Sequence, residues 1–323
     1  MLIRAFEWME RHSAVLLAGG VFVGLISQDL AALCKPFLSA SIFVLFLATV
    51  LRLEWSQVLW RLRRPARPLL ILAGTMIGAP LVMAGAIDLV AAPDFLRTPL
   101  VLIASSPPLI SVPAFALLLG LDAPLALVVM VAGFALQPLV QPPVALALLG
   151  IKLDIGLGPL MLRLAVFIGG AFVAAAVLRR LAGDERVRRH SATLGGIVIL
   201  MLLVFAIGVM DGLRAEFFDD PGHVLTSVAA VFLANFGLQA VGAAVFWGAA
   251  PLWRLSGREG LTAALVMGNR NLAILIAVLG PLASKDVYLM LAAYQFPMYL
   301  IPAVAGPAYR VLLKLGRGLK TTA

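Results

Sequence analysis

Charged residues and cysteine are both scarce in this 323-residue chain. Only 13% of the residues are charged and 62% are hydrophobic, whereas a water-soluble domain has about 25% charged and about 45–50% apolar residues. The composition therefore excludes a soluble globular protein and predicts an all-α integral membrane protein. Cys34 is the single cysteine, which excludes an internal disulfide and a metal site built from several thiolates.

Groups that commonly perform catalysis are also few. The three histidines lie near loops or helix ends, at His12, His190 and His223. The long apolar runs contain no histidine in their interiors and no pair of carboxylates at matched depth, so the usual acid–base and nucleophilic arrangements are missing. We therefore expect a protein that is not an enzyme and that carries no resident cofactor.

Apolar runs about as long as a bilayer-spanning helix recur ten times along the chain. Glycine, proline and charge clusters delimit them as spans 14–30, 33–51, 68–90, 99–120, 123–149, 157–179, 193–212, 223–248, 259–280 and 286–312. If the N-terminus is cytoplasmic, 18 of the 25 lysines and arginines fall in cytoplasmic segments and five in outer segments, which is the bias that sets membrane topology. We expect a multi-pass protein of a cell inner membrane with both termini cytoplasmic, and no nucleic-acid partner behind the net charge of +9.

The predicted spans fall into two halves, 1–150 and 151–323, with five spans each. An odd number of spans per half makes the second half cross the membrane in the opposite sense, so we predict two inverted repeats. The fourth span of each half is interrupted, by Ser105-Ser-Pro-Pro-Leu-Ile-Ser-Val-Pro113 and by Gly268-Asn-Arg-Asn271. Broken helices at matched positions of inverted halves are typical of the binding site of a secondary transporter.

The first interruption is rich in proline. Pro107, Pro108 and Pro113 remove backbone donors, and lipid cannot satisfy the carbonyls that lose their partners. Ser111 is placed to cap the half-helix that follows, with Pro113 in its first turn. This segment is therefore expected to lie inside protein or beside water.

The second interruption places a full positive charge within an apolar span. Gly268 gives the backbone freedom, and Asn269 or Asn271 is placed to cap the next half-helix. The ends of two half-helices carry partial positive charge, and Arg270 adds a full charge that suits a carboxylate. An arginine at this depth is costly and faces protein or water, so a second interpretation stays open, in which Arg270 clamps carbonyls of the first interruption.

Further polar residues lie in neighbouring spans. Gln137 and Gln141 are four positions apart in span 5, Asn235 and Gln239 are four apart in span 8, and Gln295 lies in span 10. Each one alone also fits an interhelical hydrogen bond. Because such residues concentrate in spans 4, 5, 8, 9 and 10, we predict a core domain of spans 3–5 and 8–10 and a panel of spans 1, 2, 6 and 7. The candidate substrate-binding residues are Arg270, Asn269, Asn271, Gly268, Ser111, Pro108, Pro113, Gln137, Gln141, Asn235, Gln239 and Gln295.

Three motifs resemble those of a known family. Ala104-Ser-Ser-Pro-Pro, Gly120-Leu-Asp-Ala-Pro-Leu-Ala-Leu and Gly268-Asn-Arg-Asn-Leu-Ala, set in ten spans, resemble the bile acid:sodium symporter superfamily. That superfamily includes carriers of bile acids, pyruvate and pantoate-like organic anions, and an arsenite-efflux branch. The resemblance implies a panel-and-core fold in which broken helices 4 and 9 cross at the substrate site, with alternating access by motion of core against panel.

The chain departs from the sodium-coupled members of that superfamily. Those members have a Ser-Asn pair in the first break, where this chain has Ser111-Val112, and an acidic residue one turn before the second motif. This chain has the uncharged run Ala264-Leu-Val-Met267 there. We therefore predict that Arg270 occupies the place of a sodium ion as a fixed cation. The arsenite branch uses a cysteine near the first break, and Cys34 lies far from it.

The sequence thus predicts a secondary active transporter of a small or amphipathic organic anion that works by alternating access. Its expected partners are that anion and the lipid bilayer, with no obligate protein partner, and sodium or a proton is open as the coupling ion. A sodium-coupled symporter of bile-acid type is the main alternative. An arsenite-type effluxer and a non-transporting membrane receptor are the others.

Overall fold

The computed structural model describes residues 2–63, 65–150 and 156–318. It is all-helical, with 85% helix and no strand among the described residues, which confirms the predicted all-α class. Six helices in these ranges are long and apolar enough to cross a membrane: Gln28–Arg52, Ala66–Leu89, Ala123–Leu149, Leu157–Ala182, Ser191–Asp219 and Pro221–Gly248. The chain is therefore a membrane-embedded helical protein, and the ten spans and the inverted repeat stay predictions. Positions 151–155, where the predicted halves meet, and the C-terminal 319–323 lie outside the described residues.

The helices of the first half are listed in chain order. They are α1 Leu2–Arg11, α2 Ser13–Ile26, α3 Gln28–Cys34, α4 Leu38–Arg52, α5 Trp55–Leu62, α6 Ala66–Ala73, α7 Ala79–Leu89, α8 Asp94–Ser105, α9 Val112–Leu118 and α10 Ala123–Leu149. A short 3₁₀ turn, Lys35–Phe37, joins α3 to α4, and a π-helical turn, Gly74–Gly78, joins α6 to α7.

The second half continues the same pattern. Its helices are α11 Leu157–Ala182, α12 Asp184–Arg189, α13 Ser191–Gly208, α14 Leu213–Asp219, α15 Pro221–Gly242, α16 Gly257–Gly268, α17 Ala273–Leu279, α18 Lys285–Val304 and α19 Gly306–Gly318. A π-helical turn, Ala243–Gly248, follows α15, and a 3₁₀ turn, Gly280–Leu282, follows α17.

Local sequence explains where the helices next to the interruptions begin. Asp122 caps α10 by accepting a hydrogen bond from the Leu125 N–H at 2.9 Å, and Gly120 turns the chain before it with φ of 72°. Ser256 and Glu259 form a capping box at the start of α16, so each side chain satisfies a backbone N–H that the helix leaves unpaired. The chain therefore turns between the predicted spans 99–120 and 123–149.

Both interrupted spans are broken at the residues that the sequence indicates. Helix α8 ends at Ser105 and α9 begins at Val112, while α16 ends at Gly268 and α17 begins at Ala273. Each half-helix after a break has only seven residues. A two-turn helix sums fewer peptide dipoles than a long one, so α9 and α17 contribute less positive charge than the sequence argument assumed.

The chain forms two compact units, and each draws on both halves of the sequence. Unit 1 contains residues 2–54, 156–227 and 273–295. Within it, α13 packs against α1, α2 and α4. Helix α1 lies so close to α13 that a Cβ added to Gly196 would meet the Phe6 carbonyl oxygen at 2.3 Å. Edge-to-face pairs join α4 to α11, with ring centroids 5.4 Å apart for Phe43 and Phe167.

Unit 2 contains residues 55–63, 65–150, 228–272 and 296–318 within the described ranges. Helix α10 packs against α6, α8 and α9, and α16 packs against α9, α19 and the π-helical turn Ala243–Gly248. Glycine permits the close approach of α16, because a Cβ on Gly260 would meet the Phe246 carbonyl oxygen at 2.4 Å. Both interruptions therefore belong to one unit, and the panel and core stay predictions.

Candidate functional site

The two interruptions lie against each other in unit 2. The Leu109 N–H donates to the Asn269 carbonyl oxygen at 2.9 Å, and the Asn271 N–H donates to the Pro107 carbonyl oxygen at 2.8 Å. The pairing is an isolated antiparallel bridge between Pro108 and Arg270. Each break thus supplies partners for backbone groups that the other break has removed from its helix, as an apolar environment requires.

Arg270 lies at the centre of this pairing and is 1% exposed. Its Nε donates to the Met267 carbonyl oxygen at 2.8 Å, and its Nη1 donates to the Ser106 carbonyl oxygen at 3.1 Å. Its Nη2 donates to the Thr75 carbonyl oxygen at 2.5 Å. One guanidinium group therefore bonds to three carbonyl oxygens from three separate segments.

The Thr75 carbonyl is available because of the π-helical turn that contains it. The Ala79 N–H donates to the Gly74 carbonyl oxygen, so it does not serve Thr75 in the usual α-helical pattern. The next donor in a π-helical pattern belongs to residue 80, which is proline and has no N–H. Pro80 thus leaves a carbonyl in the apolar interior that Arg270 satisfies.

The Met267 carbonyl is available for a related reason. Its α-helical partner would be the Asn271 N–H, but that group donates to Pro107 in the other break. A buried carbonyl without a donor costs free energy comparable to a lost hydrogen bond. These contacts are those of the clamp that the sequence left open as the second interpretation of Arg270.

A second network braces the end of α16 against α15. Asn235 donates to the Gly268 carbonyl oxygen at 3.0 Å and to Asn269 Oδ1 at 3.2 Å. Gln239 donates to Asn235 Oδ1 at 2.8 Å and accepts from the Tyr309 hydroxyl at 3.0 Å. Asn269, Asn235 and Gln239 are all buried. The pair at four-residue spacing on α15 therefore holds the second interruption in place.

A third network joins α10 to the first interruption. Gln137 Nε2 donates to Gln141 Oε1 at 2.7 Å, and Gln141 Nε2 donates to Ser106 Oγ at 2.8 Å and to the Leu102 carbonyl oxygen at 3.2 Å. The carbonyl of Leu102 fixes the orientation of the Gln141 amide, which in turn fixes that of Gln137. Among the described residues, the buried Oε1 of Gln137 has no donor.

The remaining candidates have mixed outcomes. Pro108 is buried and packs so closely on α10 that a Cβ on Gly133 would meet its Cδ at 2.7 Å. Ser111 occupies the N-cap position of α9, but its side chain makes no capping hydrogen bond, so that prediction is wrong. Its φ of −83° and ψ of −3° are already helical, whereas a capping residue is typically extended. Pro113 lies in the first turn of α9 as expected.

The last two candidates are Gln295 and Asn271. Gln295 belongs to unit 1, and its Nε2 donates to the Leu291 carbonyl oxygen of its own helix at 3.4 Å. Asn271 is buried and joins the pairing of the interruptions through its backbone N–H. The structure therefore brings Arg270, Asn269, Asn235 and Gln239 together, and Gln137 and Gln141 around Ser106.

Sequence reasoning missed three residues of these networks. Thr75, Ser106 and Tyr309 each contact a candidate residue. Pro80, five positions after Thr75, is the sequence signal for a free carbonyl there. Ser106 lies inside the first interruption, and Tyr309 carries no distinguishing sequence pattern.

The chain was also compared with known proteins: no family model matches it, and no curated protein does.

Proposed function

We propose that the protein is a secondary active transporter of a small or amphipathic organic anion, working by alternating access as in the bile acid:sodium symporter superfamily. The observation that carries the proposal is the pairing of two broken apolar helices around a buried arginine. Non-helical backbone at membrane depth is tolerated where it lies in protein or lines a water-filled cavity. In transporters, discontinuous helices of this kind form the substrate and ion sites.

The contacts of Arg270 support transport without sodium at this position. Unwound backbone carbonyls coordinate sodium in other transporters, and here three carbonyl oxygens receive N–H groups of one guanidinium. In the proposal, the guanidinium replaces the ion as a cation that never dissociates, and its charge favours an anionic substrate nearby. The modes of transport that then remain are coupling to a proton, uniport and exchange. The sodium-coupled symporter is the alternative.

The finer architecture belongs to the same proposal. Ten spans form two inverted repeats, 1–150 and 151–323, and broken helices 4 and 9 cross at the substrate site. Spans 3–5 and 8–10 move against a panel of spans 1, 2, 6 and 7. Both termini face the cytoplasm from the inner membrane. The support is the pair of breaks at corresponding places and the bias of basic residues in the sequence.

Uptake by purified protein in liposomes tests the proposal. A panel of radiolabelled organic acids is offered under a sodium gradient, a proton gradient and no gradient. We expect saturable uptake of at least one carboxylate that is indifferent to sodium. Uptake that rises steeply with sodium and ignores pH would favour the sodium-coupled alternative. Binding without uptake under every gradient would favour a receptor.

A further inference from the structure

Helix α5 is an amphipathic element between two membrane-length helices. It follows Gln28–Arg52 and precedes Ala66–Leu89, so it lies where the chain leaves the apolar layer and re-enters it. Val58 is 0% exposed, whereas Leu59 and Trp60 are 59% and 65% exposed. Exposed tryptophan is characteristic of the level of the lipid headgroups. Helix α5 therefore presents an apolar edge to the surface of the bilayer.

A notch of about 560 Å³ lies beside this edge in unit 2. It is lined by Ser56, Gln57, Trp60 and Arg61 of α5 and by Pro124 at the start of α10. Its volume falls within the roughly 300–1,000 Å³ of small-molecule sites. The lining combines a hydroxyl, an amide and a guanidinium group with an aromatic ring. A ligand with a polar anionic end and an apolar end matches this lining.

Arg61 retains a buried donor that no residue in the described part of the chain satisfies. Both of its contacts to Asp122 use the same nitrogen, since Nη2 donates to Oδ1 and Oδ2 at 2.7 Å each. Its Nε is buried and has no hydrogen-bond partner. An unsatisfied buried donor destabilises the protein, and more strongly when it belongs to a charged group. Because Arg61 also lines the notch, an anionic oxygen there would reach this donor after a small shift of the side chain.

The surrounding segment is strongly basic. Residues 55–67 contain four arginines and no acidic residue. Arg63 is exposed, and the Arg67 side chain stays 52% exposed although its Nη1 bonds Glu259 at 2.7 Å. Basic residues beside a membrane attract acidic phospholipids, each contributing about 1 kcal/mol. The charge of the segment thus complements a phosphate group at the bilayer surface.

We propose that the notch binds the headgroup of an acidic phospholipid from the surrounding bilayer. Its phosphate accepts the Nε–H of Arg61, its polar headgroup lies against Ser56, and its acyl chains run along Trp60 and Leu59. The site is independent of the crossing of the broken helices. It gives the protein a lipid requirement that its transport chemistry alone would not create.

Tryptophan quenching by brominated lipid tests this assignment. The full-length protein is placed in phosphatidylcholine vesicles that contain either brominated phosphatidylglycerol or brominated phosphatidylcholine at equal fractions. We expect the acidic lipid to be about fivefold enriched at the protein, which corresponds to one arginine at a charged surface. The excess quenching should vanish in Trp60→Phe and persist in Trp8→Phe, which removes another exposed tryptophan.

Arginine variants distinguish a lipid bound in the notch from general electrostatic attraction of acidic lipid to the protein. Arg61→Lys keeps the positive charge but removes Nε. We expect this variant to lose most of the excess quenching by the acidic lipid, while its melting temperature stays near that of the wild-type protein. Arg188→Gln, at an exposed arginine of unit 1, should keep the excess. Equal quenching by both lipids, an excess that survives Trp60→Phe or Arg61→Lys, or its displacement by soluble glycerol phosphate would each overturn the proposal.

Discussion

At the residue scale, Arg270 joins three carbonyl oxygens that lie far apart in the sequence. Its partner Thr75 is 195 positions away. A guanidinium group holds five N–H donors in a rigid plane, whereas a lysine ammonium is a compact point charge with three rotatable donors. The geometry of Arg270 therefore uses a property that lysine does not share, beyond the positive charge that both possess.

Replacing Arg270 tests the clamp. We expect Arg270→Gln to lower stability by several kcal/mol, because leaving a buried carbonyl unpaired costs about 1–3 kcal/mol and three lose their donor. The stability of Arg270→Lys should fall between that of Arg270→Gln and that of the wild-type protein. The measurement is thermal unfolding in detergent, followed by uptake for each variant that folds.

Arg163→Gln is the matched control, since Arg163 also lies within a predicted span, 157–179, and its side chain is exposed. We expect its melting temperature to stay close to wild type. An Arg270→Gln protein that melts like this control would contradict the clamp. A stable Arg270→Lys protein without uptake would instead indicate direct contact with the substrate.

The position of Arg270 was readable from the sequence, but its partners were not. A charge inside an apolar span must face protein or water, which identified the residue. The carbonyl oxygens that Arg270 binds depend on the π-helical turn at 74–78 and on the hydrogen bond of the Asn271 N–H to Pro107. Neither feature follows from local sequence patterns. The prediction that Ser111 caps α9 was wrong for a similar reason, because the sequence gives the type of a residue but not its backbone angles.

At the scale of elements, close packing of α16 on α15 positions the second interruption. Gly268 is the tightest point: an added Cβ would meet the Asn235 carbonyl oxygen and Gln239 Cγ, both at 2.3 Å. Small residues let membrane helices approach until their backbones touch. The prolines and glycines that break the spans were predictable, since they act through local sterics, whereas this interface needed the structure.

A pair of glycine variants tests that interface. Gly268→Ala should destabilise the protein by about 1–3 kcal/mol, the usual cost of overpacking, and should reduce uptake by displacing Asn269 and Arg270. Gly237→Ala on α15 is the control, because nothing lies within 4 Å of its added Cβ. It should be neutral or slightly stabilising. The measurement is the melting temperature of each variant from unfolding curves in detergent. Equal melting temperatures would contradict the close packing inferred at Gly268.

At the scale of the whole molecule, the distribution of basic residues predicts orientation. The segment around α12 is basic, whereas the segment at 211–220 is acidic, with four carboxylates to one arginine. Basic segments stay on the cytoplasmic side. The predicted orientation therefore places 188 inside the cell and 219 outside.

Cysteine labelling in intact cells tests the orientation. Arg188→Cys and Asp219→Cys are each made in a Cys34→Ser background, which removes the single native cysteine. We expect a membrane-impermeant maleimide to label the protein at 219 and not at 188 until the cells are opened. The reverse pattern would invert the topology. Labelling of both positions in intact cells would mean that a span is missing between them.

The guanidinium that bonds three carbonyls at the crossing also has a thermodynamic consequence for the proposed transporter. A sodium ion that binds and leaves carries charge with each turnover, but a cation fixed to the chain carries none across. An anion transported alone would then meet the full membrane potential, about 2.3 kcal/mol per charge per 100 mV. An inside-negative potential of 100 mV would hold its internal concentration about fiftyfold below the external one at equilibrium. Such a carrier exports its anion by default, and accumulation inside the cell requires a proton to travel with it or another anion to leave in exchange.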